Sequence, residues 1–227
     1  MPSSNPLLTV TNLVKRYGDR TILNGTTFQI NEGERIALMG PSGAGKSTLL
    51  NCISGIDRPD EGSVKFRDRD LASMDSSALA DLRRTAFGHV FQFFHLLPTL
   101  TAAENIELPL QLAGMGTSQR HARVATLLEQ VGLSHRSDAL PSQMSGGEMQ
   151  RVAIARAIAA EPPLIFADEP TGNLDSSTGQ AVLKLLENIT DSTGTAMLMV
   201  THSEQIAESC HSQIHLLDGE ITDGQPA

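Results

Sequence analysis

The sequence is poor in cysteine, in aromatic residues and in positive charge, and it has no long hydrophobic run. Its 227 residues include two cysteines, no tryptophan, one tyrosine and seven phenylalanines. The cysteines, Cys52 and Cys210, lie far apart, which excludes a disulfide-stapled scaffold and is typical of a reducing compartment. No apolar stretch approaches the roughly 20 residues that cross a bilayer. Residues 1–8 have neither a basic nor a long apolar segment, so no signal peptide is expected.

Acidic residues outnumber basic ones. The chain has 17 Lys and Arg against 26 Asp and Glu, which gives a formal net charge of -9. A phosphate backbone attracts proteins with excess positive charge, so this balance argues against nucleic acid as a partner. Hydrophobic residues make up 40% and charged residues 19%, values that suit a soluble globular protein and not a disordered one. We therefore expect a cytoplasmic globular protein with a sizeable core.

Short apolar runs alternate with helical patterns along the chain. The runs at 36–39, 164–167 and 196–200 are bounded by Gly, Asp or Pro and predict parallel strands buried on both faces. Apolar residues spaced i, i+3, i+4, i+7 at 124–131 and 182–189 predict helices. Strands that alternate with helices predict an α/β domain with a mainly parallel sheet.

Two regions depart from this alternation. Alternating apolar residues over 7–30, with a turn at Gly18, predict short strands. A region from about 93 to 160 reads as almost wholly helical, and we expect it to be a subdomain inserted into the sheet domain. The chain is thus predicted to form one domain, 1–227, with a sheet core over about 1–92 and 161–227.

A glycine-rich loop follows the first predicted buried strand. Its sequence, which matches the pattern G-x-x-x-x-G-K-S/T, is Gly40-Pro41-Ser42-Gly43-Ala44-Gly45-Lys46-Ser47. Glycines let backbone N–H groups point at phosphate oxygens, Lys46 adds positive charge, and the Ser47 hydroxyl can ligate Mg²⁺. A helix that starts at Lys46 adds its dipole. The alternative is a glycine-rich turn without a ligand, which the apolar strand before and the apolar helix after the loop disfavour.

Two carboxylates end the second predicted buried strand. Asp168 and Glu169 follow the run 164–167. Ligands of open α/β sheets bind at the carboxyl ends of strands, so Asp168 is predicted to face the phosphate loop and to hold Mg²⁺. Glu169 is predicted to act as a general base on a water that attacks the terminal phosphate. The alternative is a solvated turn, since Asp-Glu-Pro is favourable turn chemistry.

Ser145 and Glu148 have the spacing of a capping box ahead of a helical run over 149–160. A helix cap and nothing more would explain both residues. The same geometry also makes an anion site, because Gly146 and Gly147 expose backbone N–H groups beside the serine hydroxyl.

Together these motifs resemble the ATP-binding-cassette (ABC) transporter ATPases over essentially the whole chain. GPSGAGKS at 40–47, SGGE at 145–148, LIFADEP at 164–170 and His202 occur in that family's order. The resemblance implies an α/β phosphate-loop NTPase core with an N-terminal antiparallel β subdomain and an inserted helical subdomain. It also implies ATP and Mg²⁺ as cofactors and a homodimer that holds each ATP between two copies. Met144 stands where Leu is usual and Glu148 where Gln is frequent, and neither change puts ATP use in doubt.

The resemblance further implies roles for individual residues. Tyr17 matches the aromatic residue that stacks on adenine, with a strand-edge tyrosine packed on the core as the alternative. Asp175 matches a residue that reaches across the dimer, and His202 matches the histidine that contacts the γ-phosphate. The implied ATP-binding residues are Tyr17, Gly40, Pro41, Ser42, Gly43, Ala44, Gly45, Lys46, Ser47, Thr48, Gln92, Ser145, Gly146, Gly147 and Asp168. The implied catalytic residues are Glu169, His202 and Lys46, and the implied Mg²⁺ ligands are Ser47, Gln92 and Asp168.

A separate membrane protein is the expected partner. The segment from Phe91 to Leu110 begins with an unusually aromatic and apolar stretch and is predicted to receive a cytoplasmic helix of an integral membrane permease subunit. The core of the helical subdomain is the alternative for that stretch. The chain would then lie peripherally on the cytoplasmic face of the inner (plasma) membrane.

The runs at 104–110 and 169–175 resemble one subgroup, which contains the lipoprotein-releasing ATPases and the macrolide exporters. In that subgroup, ATP cycling drives lipoprotein release, export or a periplasmic machine. Two alternatives remain open: a nucleotide-gated adaptor related to the cell-division ATPase, and a soluble ABC ATPase of repair or translation. The intact Glu169 and His202 argue against the first, and the negative charge argues against the second.

Overall fold

The structure is a computed structural model that describes residues 6–222. The first five residues, part of the segment for which no signal peptide is expected, lie outside the described residues. The chain divides into two compact units, one that runs to Arg83 and resumes at Ala196, and one that comprises Arg84–Thr195. The domain limits predicted above stay a prediction.

Ten strands and seven α-helices are defined within residues 6–222. Along the chain they are β1 (Leu8–Tyr17), β2 (Arg20–Ile30), β3 (Arg35–Met39), α1 (Lys46–Ile53), β4 (Glu61–Phe66), β5 (Arg69–Asp70), α2 (Ser76–Ala86), β6 (Phe87–Phe91), α3 (Ala102–Leu112), α4 (Thr117–Gln130), α5 (Gly146–Ala157), β7 (Leu164–Asp168), α6 (Ser176–Thr193), β8 (Ala196–Val200), α7 (Glu204–Glu208), β9 (Ser212–Leu217) and β10 (Glu220–Thr222). Three 3₁₀ turns cover Leu71–Ser73, Ser134–Arg136 and Pro141–Gln143. None of the helices in this part of the chain combines the length and hydrophobicity that crossing a membrane requires.

The first unit contains an antiparallel sheet with the strand order β2-β1-β4-β5. Leu8 of β1 lies opposite Ile30 on one side and Phe66 on the other, and all three are buried. The prediction of short strands here is wrong, because β1 and β2 are 10 and 11 residues long. A bulge beside Asn12, whose φ is 48°, shifts the register and breaks the apolar alternation without ending the strand.

The same unit contains the parallel strands that support the phosphate loop. β3 pairs in parallel with β8 on one side and with β9 on the other, and β10 pairs antiparallel with β9. Every residue of β8 is buried, as is the centre of β3. The predicted strands at 36–39 and 196–200 and the helix that starts at Lys46 are therefore confirmed.

The second unit pairs β6 with β7 in parallel, and its helices include α3, α4, α5 and α6. The residues of β7 up to Ala167 are buried, which confirms the strand predicted at 164–167. The helices predicted around 124–131 and 182–189 are α4 and α6. The predicted α/β class, with an antiparallel sheet at the N-terminal end and a helical insertion, is confirmed.

Two helical predictions in the second unit need correction. The helix expected over 149–160 begins at Gly146, because Ser145 caps it, and its C-cap is Ile158. Residues 92–101 form turns and extended chain instead of continuing a helical region. Phe94 and His95 there have left-handed φ values of 61° and 49°, which no α-helix can include.

Candidate nucleotide-binding site

The loop between β3 and α1 surrounds the ammonium group of Lys46. Lys46 Nζ donates to the carbonyl oxygens of Gly40 at 2.8 Å and Pro41 at 2.9 Å. Lys46 is buried, whereas Ser47, the second residue of α1, is exposed. Ala44 N donates to Pro41 O at 3.2 Å and closes the loop. A buried cation inside a backbone loop at a helix N-terminus is a setting that favours phosphate groups.

Two loop positions accept only glycine. Gly40 has a φ of 148°, and a Cβ there would lie 2.2 Å from the carbonyl oxygen of Leu216 in β9. Gly45 has a left-handed φ of 104°, and a Cβ there would lie 3.0 Å from the carbonyl oxygen of Ile22 in β2. Both the conformation and the close approach of another backbone exclude a side chain. Neighbouring strands therefore dictate the path of the loop.

His202 lies at the same edge of the parallel strands as this loop. β3 and β8 run in parallel with Leu38 opposite Val200, and Thr201 N donates to Leu38 O at 3.2 Å. Parallel neighbours end at the same edge of a sheet, so the exposed His202 and the start of the loop both follow strand ends there. The first unit thus brings His202 close to the phosphate loop.

Tyr17 is the last residue of β1 and is half exposed. Its hydroxyl donates to Asp57 Oδ2 at 2.6 Å. Lys15 Nζ donates to Asp57 Oδ1 at 2.9 Å and lies 5.0 Å from the centroid of the Tyr17 ring. The hydrogen bond to Asp57, followed by burial and the carboxylate charge, raises the pKa of the Tyr17 phenol. Sequence reasoning missed Lys15 and Asp57, because Asp57 lies 40 residues from Tyr17.

In the second unit, Gln92, Asp168 and Glu169 lie at the ends of two neighbouring strands. Phe91 of β6 lies opposite Asp168 of β7, so the two strands end side by side. The side chains of Gln92 and Glu169 both lie against Gly172, because a Cβ there would be 2.8 Å from Gln92 Nε2 and 3.3 Å from Glu169 Oε2. Glu169 has a left-handed φ of 44°, which is uncommon for a side chain of its kind. The structure thus brings these three predicted residues together.

Two amide side chains hold the segments that carry Gln92 and Glu169. Asn173 Nδ2 donates to the carbonyl oxygen of Gln92 at 2.9 Å. Gln150, fully buried on α5, donates through Nε2 to the carbonyl oxygen of Pro170 at 2.5 Å. No local sequence pattern indicates either contact, since each joins residues 20 or more positions apart.

The predicted capping box at the start of α5 is confirmed. Ser145 N and Oγ donate to Glu148 Oε2 at 2.8 and 2.9 Å, and Glu148 N donates back to Ser145 Oγ at 3.3 Å. Arg136 Nε donates to Glu148 Oε1 at 3.0 Å, a contact that the sequence did not reveal. The Ser145 backbone N–H leads the lowering of the Glu148 pKa, and the Ser145 hydroxyl and Arg136 contribute to it. Ser145 itself is exposed.

The two glycines after Ser145 allow close packing. A Cβ at Gly147 would lie 2.4 Å from Thr178 Cγ2 of α6, and a Cβ at Gly146 would lie 3.4 Å from Leu174 Cδ2. At Gly147, α5 therefore approaches Thr178 more closely than a residue with a side chain would allow, whereas a Cβ at Gly146 would make an ordinary contact. This packing places Ser145 and Asp175, the N-cap of α6, in one region of the second unit.

The aromatic segment after β6 is partly exposed, and a side chain of α5 binds its backbone. Phe93 is 68% exposed, so it does not belong to the core of the helical region. Arg156 donates to the carbonyl oxygens of His95 at 2.5 Å and Phe94 at 2.8 Å. Burial lowers the pKa of Arg156. These bonds stabilise the left-handed turn and leave Phe93 at the surface.

Similarity to known proteins covers most of the chain. A family model described as ABC transporter matches residues 23–172. The chain is 43% identical over 225 residues to the macrolide export ATP-binding/permease protein MacB of Marinobacter nauticus. The match covers 97% of this chain and 35% of that protein, so the chain spans about a third of the length of this curated relative.

Solved structures of similar fold include two of the cassette MJ0796 and one of cbiO1. A dimeric post-hydrolysis state of the cassette MJ0796, bound to ADP and Pi, matches 96% of this chain and 97% of its own with a TM-score of 0.87 and 39% identity. Another dimeric structure of MJ0796 matches 95% of this chain and 97% of its own with a TM-score of 0.87 and 40% identity. The cassette cbiO1 of Clostridium perfringens, part of the transporter complex cbiONQ, matches 96% of this chain and 88% of its own with a TM-score of 0.88 and 27% identity. The predicted phosphate-loop NTPase fold is confirmed.

Proposed function

Because this chain belongs to the ABC transporter family and is an ATPase of that family, we propose that it binds ATP between two copies of itself and drives a membrane permease. The observation that carries the proposal is the exposed Ser145 at the capped start of α5, beside two glycines. Such a helix start is half of a phosphate site, and a second copy can supply the other half. Dimers of a similar cassette support the same arrangement.

The phosphate loop, residues 40–48, is the proposed binding site for the triphosphate. Lys46 carries positive charge within the loop, and the start of α1 adds backbone N–H groups. Tyr17 is the proposed stacking partner of the adenine, since half of its surface is exposed while its hydroxyl is held.

Ser47, Gln92 and Asp168 are the proposed ligands of Mg²⁺. They offer a hydroxyl, an amide and a carboxylate oxygen, which are the hard donors that Mg²⁺ prefers. Ser47 is exposed at the start of α1, and Gln92 lies beside Glu169 at the strand ends. The donor set therefore fits the ion, which when bound neutralises charge on the β- and γ-phosphates.

Glu169 is the proposed general base. Its carboxylate lies at the strand ends beside Gln92, where it can accept a proton from a water that attacks the γ-phosphorus. The bond from phosphorus to the bridging oxygen then breaks, and ADP leaves with that electron pair. His202 and Lys46 are proposed to stabilise charge on the γ-phosphate oxygens, which is the main source of catalysis in phosphoryl transfer. Asp175 is proposed to contact the second copy.

The proposed partner is an integral membrane permease that binds between residues 91 and 110. Phe93 at 68% exposure offers an apolar anchor there, and Arg156 fixes the adjoining turn. The similarity to a macrolide export protein that combines ATP-binding and permease functions supports a role in export. Lipoprotein release and the drive of a periplasmic machine are the other proposed roles. The proposed location is the cytoplasmic face of the inner membrane.

Replacement of the proposed base tests this function. Glu169→Gln keeps the shape of the side chain but removes its basicity, so steady-state ATP hydrolysis should fall by about a hundredfold or more. ATP binding should persist, and the variant should elute as a dimer from a sizing column only when MgATP is present. Glu129→Gln, the same change at an exposed glutamate of α4 outside the site, serves as the matched control. Normal hydrolysis by Glu169→Gln would contradict the assignment of the base.

A further inference from the structure

A carboxylate from outside β1 fixes the Tyr17 ring. Lys15 and Tyr17 stand two residues apart on β1, and Lys15 Nζ lies over the Tyr17 ring, so the two side chains lie on the same side of the strand. Asp57 comes from the segment between α1 and β4. It accepts from Tyr17 Oη at 2.6 Å with one oxygen and from Lys15 Nζ at 2.9 Å with the other. One carboxylate thus ties both side chains of the strand together.

Lys15 supports the ring from one face. Its side chain is 10% exposed, and Nζ also donates to the carbonyl oxygen of Arg58 at 2.8 Å. The ammonium group lies 5.0 Å from the centroid of the Tyr17 ring, within the range of a cation–π interaction. The Lys15 ammonium thus lies over the ring, and half of the surface of Tyr17 stays exposed and accessible to a ligand.

The charges of this cluster stabilise each other. Burial alone would raise the pKa of Asp57, but the hydrogen bonds from Tyr17 and Lys15 outweigh it and lower the pKa. Burial alone would lower the pKa of Lys15, but the hydrogen bond and charge of Asp57, with a contribution from Asp60, raise it. At neutral pH, Asp57 is therefore ionised, Lys15 is protonated, and the Tyr17 phenol keeps its proton as a donor.

We infer that Asp57 and Lys15 are positioning residues of a nucleobase subsite: they hold the Tyr17 ring so that its exposed face stacks on the base of a purine nucleotide. The inference rests on the proposed function, which assigns base stacking to Tyr17. A tyrosine at the end of a strand would otherwise exchange between staggered side-chain rotamers. A ring that is already fixed loses less conformational freedom when the nucleotide binds.

Spectroscopy can follow this ring alone, because Tyr17 is the only tyrosine and the chain has no tryptophan. A carboxylate that accepts the phenol proton in the excited state quenches tyrosine emission. Asp57→Ala should therefore raise the emission of Tyr17. Glu61→Ala, which breaks the neighbouring surface pair of Glu61 with Arg16, should leave the emission unchanged.

Calorimetry of MgADP and of magnesium pyrophosphate separates base from phosphate recognition, since both ligands carry two phosphates and only one carries adenosine. Asp57→Ala and Tyr17→Phe should each weaken MgADP binding about three- to tenfold, as expected when one side chain must be ordered on binding. Neither should change the affinity for pyrophosphate. Tyr17→Phe keeps the ion pair of Lys15 and Asp57 and removes only the hydroxyl, so it tests the positioning role if Asp57→Ala does not fold. Glu61→Ala should bind both ligands like the parent.

Tyr17→Ala distinguishes failure of the inference from failure of the proposed function. If this variant binds MgADP as tightly as the parent, Tyr17 does not stack on the base, and both the proposed stacking role and the inference are contradicted. If it binds more weakly while Asp57→Ala and Tyr17→Phe bind like the parent, the inference is overturned and the stacking role stands. Equal losses of MgADP and pyrophosphate affinity would place the effect on the phosphate loop and would also overturn the inference.

Discussion

Two carboxylates at helix starts are stabilised in their ionised form by hydrogen bonds from neighbouring backbone and hydroxyl groups. Glu148 accepts hydrogen bonds from the backbone and hydroxyl of Ser145. Asp175 caps α6, and the hydroxyl of Thr178, followed by that of Ser177, leads the lowering of its pKa. Both carboxylates stand at the positive end of a helix dipole. They remain ionised well below neutral pH.

The cap at Asp175 makes stability depend on pH in one direction. Its folded pKa is lowered, so its contribution is present above the ordinary aspartate pKa of about 4 and is lost as pH falls toward the folded value. Asp175→Asn keeps a capping side chain without a titrating group. The parent should therefore lose stability relative to Asp175→Asn between about pH 5 and pH 3 in denaturant unfolding.

Asp138→Asn provides the matched control, because Asp138 is an exposed carboxylate outside the helix caps. It shows how far the loss of one exposed carboxylate outside a helix cap changes unfolding over the same pH range. An Asp175→Asn difference that does not change with pH, or changes no more than that of the control, would show that the cap contributes no pH-dependent stability.

At the scale of single residues, the sequence alone predicts contacts only between residues that are a few positions apart. Ser145 and Glu148 are three positions apart, so the sequence alone is enough to predict their capping box. The contact of Tyr17 with Asp57 depends on how β1 lies against the segment after α1, and the contact of Glu148 with Arg136 spans 12 positions. Neither follows from local chemistry.

At the scale of elements, α5 organises the second unit. Its start packs against α6 through Gly147, its middle holds Pro170 through Gln150, and its last turn holds Phe94 through Arg156. One helix thus connects the exposed Ser145, the turn that carries Glu169 and the proposed permease-binding segment. A displacement of α5 would affect all three.

The packing of Gly147 against Thr178 can be tested by a double mutant cycle. Gly147→Ala should destabilise the chain by about 1–3 kcal/mol, because the new methyl group overlaps Thr178 Cγ2. Thr178→Ser removes that methyl group and keeps the hydroxyl. In the Thr178→Ser background, Gly147→Ala should therefore cost much less, since alanine is also the better helix former. Additive effects of the two changes in chemical denaturation would contradict this account of the contact.

Element types were predictable where the pattern was continuous. The buried runs at 36–39, 164–167 and 196–200 are strands, since a strand of a sheet covered on both faces is apolar along its whole length and these runs are too short for a helix. The segment 92–101 was not predictable, because its turn depends on bonds from Arg156, more than 60 residues away. Its apolar composition resembles that of a helix core, yet Phe93 lies at the surface.

At the scale of the whole molecule, the two groups of site residues belong to different units of the chain. The phosphate loop, Tyr17 and His202 are in the first unit, whereas Gln92, Glu169 and Ser145 are in the second. Motif order along the chain was enough to predict the fold class and the family. The contacts that hold each group in place could not be predicted from the sequence, since they join residues that are distant along the chain.

Mixing two inactive variants tests most directly whether two copies share each ATP site. Lys46→Ala removes the charge of the phosphate loop, and Ser145→Arg blocks the start of α5. Each variant alone should hydrolyse little ATP. A mixed dimer would contain one intact site, and random pairing forms such dimers in about half of the cases.

The decisive quantity is the ATPase rate of the mixture, measured alongside capture of one tagged variant by the other. We predict a rate well above the sum of the two separate rates. A mixture that forms mixed dimers and hydrolyses no more ATP than that sum would contradict the shared site.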